Sequence, residues 1–264
     1  MTNPHLLVER DGHVATLTMN RPEARNAFGS EMLCRLADAW ELVDGDPEIR
    51  VVILTGAGGH FCAGADLKAM ARENEGDEWS KRMNGSPEIA WQALLRSRRL
   101  KKPLVAAVEG TAVAGGTEIL QATDVRVAGK GAKLGITEGK WGLFPLGGST
   151  VRLRRQIPYT LAMEMLLTGR TLSAEEALSF GLVGRVVETG EALAVARQIA
   201  EQIAANGPLA VQAMKRSVQE TEGLSEEAAL AKELEIGWPI LSSEDAKEGP
   251  RAFAEKRKPV FTGK

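Results

Sequence analysis

Pro103-Leu104-Val105-Ala106-Ala107-Val108, followed by Gly115-Gly116-Thr117-Glu118-Ile119-Leu120-Gln121 and then by Asp124-Val125-Arg126-Val127-Ala128, is the stretch that decides the fold class. The first run is uncharged and of strand length, so it reads as a buried strand. The paired glycines lead into a short helical stretch through Glu118 and Gln121, and the Val/Ala-rich segment returns as a further strand. Toward the N-terminus the alternation recurs. Val14-Ala15-Thr16-Leu17-Thr18-Met19 reads as a strand, residues 30–43 as an amphipathic helix, and Arg50-Val51-Val52-Ile53-Leu54-Thr55 as another buried strand. Strands and helices in alternation imply layers of both, an α/β fold.

Beyond about Ile157 the character changes. Residues 161–167, 173–179, 191–205 and 208–220 carry helical spacing, with Gly169, Gly181, Gly190, Gly207 and Gly223 as stops and Pro208 where a first helical turn tolerates it. The C-terminal part is therefore expected to be helical. Between the two regimes of the α/β part, residues 68–85 are polar and weakly patterned, which predicts a mobile flap.

A length of 264 residues suits one large domain or two small ones. With 44% hydrophobic and 26% charged residues, collagen-like and disordered classes are excluded. The 33 basic and 35 acidic residues leave a net charge of −2, so nothing global draws the chain to nucleic acid or to a membrane. Cys34 and Cys62 make no disulfide framework, and no Cys/His cluster has metal-ligand spacing. The start, Met1-Thr2-Asn3-Pro4-His5, has no basic leader, and no apolar run approaches the roughly 20 residues that cross a bilayer. These features predict a cytoplasmic protein without metal.

Several stretches imitate other chemistries and fail. Gly56-Ala57-Gly58-Gly59-His60-Phe61 follows a strand, as a dinucleotide fingerprint does, but Phe61 occupies the third glycine position. No phosphate-cradling G-x-x-x-x-G-K-[ST] run exists. Gly147-Gly148-Ser149-Thr150-Val151 lacks the final glycine of a nucleophile elbow. His60 reads as a loop histidine rather than a base.

What remains is a pair of small-residue turns, each after a buried strand: Phe61-Cys62-Ala63-Gly64-Ala65-Asp66-Leu67 and Ala114-Gly115-Gly116-Thr117-Glu118. Small residues admit a ligand to the backbone. The first N–H groups of a helix lack intrahelical partners and serve as anion donors. Two such ends facing one point would make an oxyanion hole. Glu118 lies among apolar and small residues, where an idle carboxylate is costly. Glu138 lies in a second Gly-rich, mostly uncharged run, residues 134–145. Two carboxylates beside an oxyanion site point to acid/base chemistry.

Over nearly its whole length the chain resembles the crotonase superfamily, and within it the enoyl-CoA hydratases. The resemblance is carried by Asn20-Arg21-Pro22 with Arg25-Asn26-Ala27, by the two turns above, by Glu138 with Gly147-Gly148 and Arg152-Leu153, by Leu167-Thr168-Gly169-Arg170, by Gly181-Leu182-Val183, and by Phe253-Ala254-Glu255-Lys256-Arg257. One departure is Thr117, which stands where relatives often carry a third glycine before the acid.

The resemblance implies a crotonase-like spiral of ββα units over about residues 1–200, then a helical region, 201–264, that joins subunits into a homotrimer or a dimer of trimers. It implies that the amides of Ala63 and Gly115 hold the thioester oxygen, and that Glu118 and Glu138 are the two hydratase acids; Glu138 is the expected proton donor and Glu118 the expected base, with the reverse assignment left open. Arg25, Ala65, Asp66, Leu67, Phe253 and Lys256 would bind the coenzyme A part of the substrate. Trp141, Leu143 and Phe144, with the flap, would wall the acyl pocket. The implied activity is addition of water to a trans-2-enoyl-CoA in fatty-acid or related lipid breakdown, without a cofactor. A double-bond isomerase of the same superfamily is the rival, and a non-catalytic acyl-CoA-binding protein the more distant one. Medium-chain and ring-bearing acyl groups, including sterol side chains, both stay open.

Overall fold

The computed structural model of the protein describes residues 3–70 and 76–264. β1 (Leu6–Asp11) and β2 (Val14–Met19) form a hairpin, and α1 (Ser30–Gly45) leads to β3 (Val51–Gly56). Then follow α2 (Leu67–Met70), α3 (Glu78–Gly85) and α4 (Glu88–Ala93). β4 (Leu104–Val108), β5 (Thr111–Val113) and α5 (Gly115–Leu120) form one ββα unit, and β6 (Val125–Gly129) and β7 (Lys133–Gly135) begin the next. With β9 (Arg185–Val187) at its far edge, the large sheet runs β1-β2-β3-β4-β6-β9, parallel throughout except for the first hairpin. β5 and β7 leave it for a small sheet with β8 (Thr171–Ser173), and Cys62 joins β5 there through an isolated bridge to Ala112. Each turn of chain thus adds a rung to both sheets, which is the expected spiral.

The strands are apolar on both faces because both faces are covered. Ala15, Leu17, Val52, Leu54, Leu104 and Ala106 face α1, whose Trp40 is fully buried and donates from Nε1 to the Ala93 carbonyl (2.9 Å), tying α1 to α4. Val14, Val51, Ile53, Val105, Ala107 and Val127 face α9 (Ala192–Ala204). Ala192, Ala196, Ala200 and Ala204 recur every fourth residue along α9, and their small size lets the helix lie close on the sheet.

The C-terminal half is helical as expected: α6 (Ser149–Gln156), α7 (Tyr159–Thr168), α8 (Ala174–Ser179), α9, α10 (Pro208–Thr221), α11 (Glu226–Gly237) and α12 (Glu244–Ala254). Gly169 ends α7 at φ 64°, a left-handed conformation that favours glycine. Ser173 and Glu176 close a capping box on α8. Two short strands, β8 and β9 (Arg185–Val187), interrupt the helices. At three residues each, like β5 and β7, they are too short for an alternating pattern to register. α6 escaped the sequence reading because its three arginines hide its apolar face. The flap segment is helical in α2 and α3, and residues 71–75 lie outside the described residues. Among the described residues no helix is long and apolar enough to cross a membrane.

Candidate active site

The two small-residue turns meet at a cavity of about 450 Å³. The first turn is built from buried Asn26, whose amide donates to the carbonyls of Ala57 (2.9 Å) and His60 (2.7 Å) while its Oδ1 accepts the Arg21 N–H (2.8 Å). Phe28 and Ala65 then pair as a single β-bridge. Beneath the turn, Cys62 Sγ–H donates to the Asn26 carbonyl (3.1 Å) and the sulfur accepts the Gly64 N–H (3.3 Å); full burial pushes this thiol up to about 12. His60 Nδ1 accepts the Thr111 N–H (3.1 Å), a structural role in keeping with its reading as no base.

The second turn carries Ala114 at φ 51°, a conformation costly for a residue with a Cβ. Its N–H donates to the Gly135 carbonyl (2.8 Å), and the strained residue launches α5 with Gly115 first. A Cβ on Gly116 would lie 2.3 Å from the Cys62 carbonyl oxygen, and one on Gly64 would lie 2.6 Å from the Ala114 Cβ and 3.0 Å from the Gly115 nitrogen. Only glycine allows these backbones to approach so closely.

Here the structure corrects one expectation. The Ala63 N–H already donates to the Arg25 carbonyl at 3.0 Å, so it is not available to a ligand. Among the described residues, the N–H groups of Ala65 and Gly115 meet no acceptor, and both residues line the cavity. Gly64, at φ 84°, turns the chain between Ala63 and Ala65 and sends their amides different ways.

Glu118 and Glu138 both line the cavity, in unlike surroundings. Glu118 Oε1 accepts the Ser149 N–H at the start of α6 (3.2 Å), with the Gly147 and Gly148 N–H groups beside it. Burial raises its pKa and these donors oppose the rise. A Cβ on Gly147 would lie 2.6 Å from Glu118 Oε2, so glycine makes room for the carboxylate. Glu138 begins a 3₁₀ turn, Glu138–Trp141, and its Oε2 is buried without a partner. Burial first, and the charge of Glu118 second, push its pKa up to about 7.

Leu67, Trp141, Leu143 and Phe144 are among the residues that line the cavity. Asp66 lies at its edge, paired with Arg21 Nη1 at 2.6 Å and capping α2 through the Lys68 and Ala69 N–H groups. Arg25, Phe253 and Lys256 are exposed and are not among the cavity walls. The sequence reading missed the walls Phe28, Leu33, Trp91, Leu94 and Leu146. A signal existed for Phe28, which follows the Arg25-Asn26-Ala27 motif directly. Among the described residues no cluster of His, Cys, Asp and Glu has the makings of a metal site.

A family model described as enoyl-CoA hydratase/isomerase matches residues 9–264, and the chain belongs to that family, within the crotonase superfamily. It is 58% identical over 260 residues to enoyl-CoA hydratase EchA19 of Mycobacterium tuberculosis, covering 98% of this chain and 97% of that protein. It is 41% identical over 258 residues to (E)-benzylidenesuccinyl-CoA hydratase of Thauera aromatica, covering 97% and 98%. The crystal structure of enoyl-CoA hydratase EchA1 from Mycobacterium marinum superposes with a TM-score of 0.90 at 46% identity, covering 99% of this chain and all of that one.

Proposed function

We propose that the cavity hydrates the 2,3-double bond of a trans-2-enoyl-CoA to a 3-hydroxyacyl-CoA, and that the protein is an enoyl-CoA hydratase of lipid breakdown. The observation that carries this reading is the pair of unlike carboxylates beside two unpartnered backbone N–H groups. Water held between the acids gives its oxygen to C3 and a proton to Glu118. The electron pair of the double bond moves through C2 onto the thioester oxygen as an enolate. The Ala65 and Gly115 N–H groups stabilise that charge where it develops, each worth about 3–4 kcal/mol in comparable settings. Glu138, protonated at its raised pKa, delivers the proton to C2. Water has then been added in full, and proton exchange resets the two acids.

No cofactor has a part in this scheme, since coenzyme A is the handle of the substrate. Ala65, Asp66 and Leu67 flank its pantetheine arm, with Arg25, Phe253 and Lys256 toward its phosphates. Trp141, Leu143 and Phe144 enclose the acyl group. Residues 201–264 form the assembling region: Met214, Val218, Leu234, Trp238 and Leu241 are exposed apolar side chains there, which suits a homotrimer or dimer of trimers. The setting is cytoplasmic. Turnover of enoyl-CoA thioesters from four carbons to steroid side chains, followed as loss of the conjugated thioester absorbance, tests the activity and grades the acyl group. Double-bond migration without hydration would replace this reading with the isomerase one.

A further inference from the structure

Arg152 lies one turn into α6, the helix whose first N–H groups cradle Glu118. Its guanidinium folds back over that cradle. Nη1 lies 3.5 Å from the Gly147 carbonyl oxygen, and a Cβ on Gly148 would lie 3.5 Å from its Cζ. Nη2 donates to the carbonyl of Leu95, a buried residue held at φ 53°, next to the cavity wall Leu94. A left-handed leucine is costly and persists only where its surroundings fix it. One side chain therefore clamps the turn that holds a reacting carboxylate to a wall of the cavity.

No carboxylate hydrogen-bonds this guanidinium among the described residues. The charges around it come from several elements: Glu118 on α5 and Glu222 after α10 attract it, while Arg96 and Arg99, after α4, repel it. Arg126, on β6, also repels it, and Glu138, on its 3₁₀ turn, is the ionisable group coupled to Glu118. Burial lowers the pKa of Arg152, yet a guanidinium stays charged throughout the working range.

We propose that Arg152 is a positioning residue for hydration, which keeps Glu118 ionised and aimed by clamping Gly147–Gly148 to Leu95 and by placing a fixed positive charge behind the carboxylate. It is absent from the cavity walls and acts through Glu118. The proposal rests on the hydratase reading. A neutral side chain in its place leaves the buried carboxylate to the N–H groups of Gly147, Gly148 and Ser149 and to the Ser149 hydroxyl, so Glu118 takes up a proton at higher pH and the base is lost there.

The test is the pH profile of kcat/KM for crotonyl-CoA hydration by the wild type, Arg152→Gln and Arg152→Lys. Wild-type hydration tests the hydratase reading by itself, and the role of Arg152 is read from the displacement of the acid limb between proteins. In Arg152→Gln the limb rises by about one unit, with about a tenfold loss of kcat below it and KM within about twofold. In Arg152→Lys the limb returns to its wild-type position, because the charge is kept. A limb that stays in place in folded Arg152→Gln overturns the proposal, as does an Arg152→Lys protein displaced as far as Arg152→Gln. Should Arg152→Gln not fold, Arg152→Lys decides alone: an unmoved limb supports the role of charge, and a rise of about one unit overturns it.

Discussion

Glu118 and Glu138 share one cavity and differ in what surrounds them. Glu118 has a helix N-terminus for a cradle and a guanidinium behind it, whereas Glu138 keeps an oxygen buried and unpartnered, with a pKa near 7. The contrast teaches that a role in proton transfer is set by the neighbours of a carboxyl group rather than by its type. In the proposed mechanism the acid held by the helix N-terminus ionises first and serves as base. The acid with a buried, unpartnered oxygen holds its proton there and gives it away.

The severest test removes each carboxylate in turn. Glu118→Gln and Glu138→Gln each lower hydratase kcat by about 10²–10⁴-fold, and the double variant is only slightly worse, because the two act on one water. Substrate binding survives in all three. Normal hydration by Glu118→Gln breaks the comparison outright, and loss of double-bond migration in one single variant alone marks an isomerase.

A smaller loss follows from crowding one cradle only. In Gly147→Ala the new Cβ, 2.6 Å from Oε2, displaces Glu118, and kcat falls by about 10–100-fold. The alkaline limb of the pH profile, which the proposed mechanism assigns to Glu138, moves by less than about half a unit, because burial, the larger cause of its raised pKa, is unchanged. For the wild type that limb falls at about tenfold per pH unit above about 7, as Glu138 loses its proton. A profile flat from pH 6 to 9 shows that Glu138 is not the acid.

Stability separates the two groups in another way. The folded pKa of Glu138 is raised above the unfolded value, so its contribution is full below pH 4.5 and is lost as pH rises through about 7. Above that point ionisation costs about 3 kcal/mol. Glu138→Gln therefore raises Tm by a few degrees at pH 8 and leaves it unchanged at pH 4, measured by calorimetry. The smallest effect lies far from both acids: Lys256→Ala raises KM by about two- to fivefold, flattens its salt dependence and moves neither pH limb.

Much of this was legible in the sequence for identifiable reasons. The strands at β2, β3, β4 and β6 are continuous apolar runs, and Glu118 and Glu138 betray themselves as carboxylates in uncharged settings. The oxyanion donors were half legible. Gly115 is a helix start, but the choice between Ala63 and Ala65 depends on the φ of Gly64, a dihedral that no side chain announces. The cavity walls Phe28, Trp91 and Leu94 come from separate elements and look like ordinary core residues until the chain closes. Arg152 stood in a motif without a task, because its acceptors are backbone carbonyls from Gly147 and Leu95.

Cys62 lies directly beneath the turn that would hold the thioester, and its burial has a chemical consequence. An α,β-unsaturated thioester is a Michael acceptor, and a thiolate within reach would add to it and alkylate the enzyme. With its pKa pushed up to about 12, Cys62 is a thiolate in only about one molecule in 10⁵ at pH 7. The sulfur's hydrogen bonds to Asn26 and Gly64 occupy it besides. The protein thus carries a soft nucleophile behind an electrophile's binding turn and keeps it inert, so iodoacetamide at neutral pH should leave that side chain unmodified while the fold is intact.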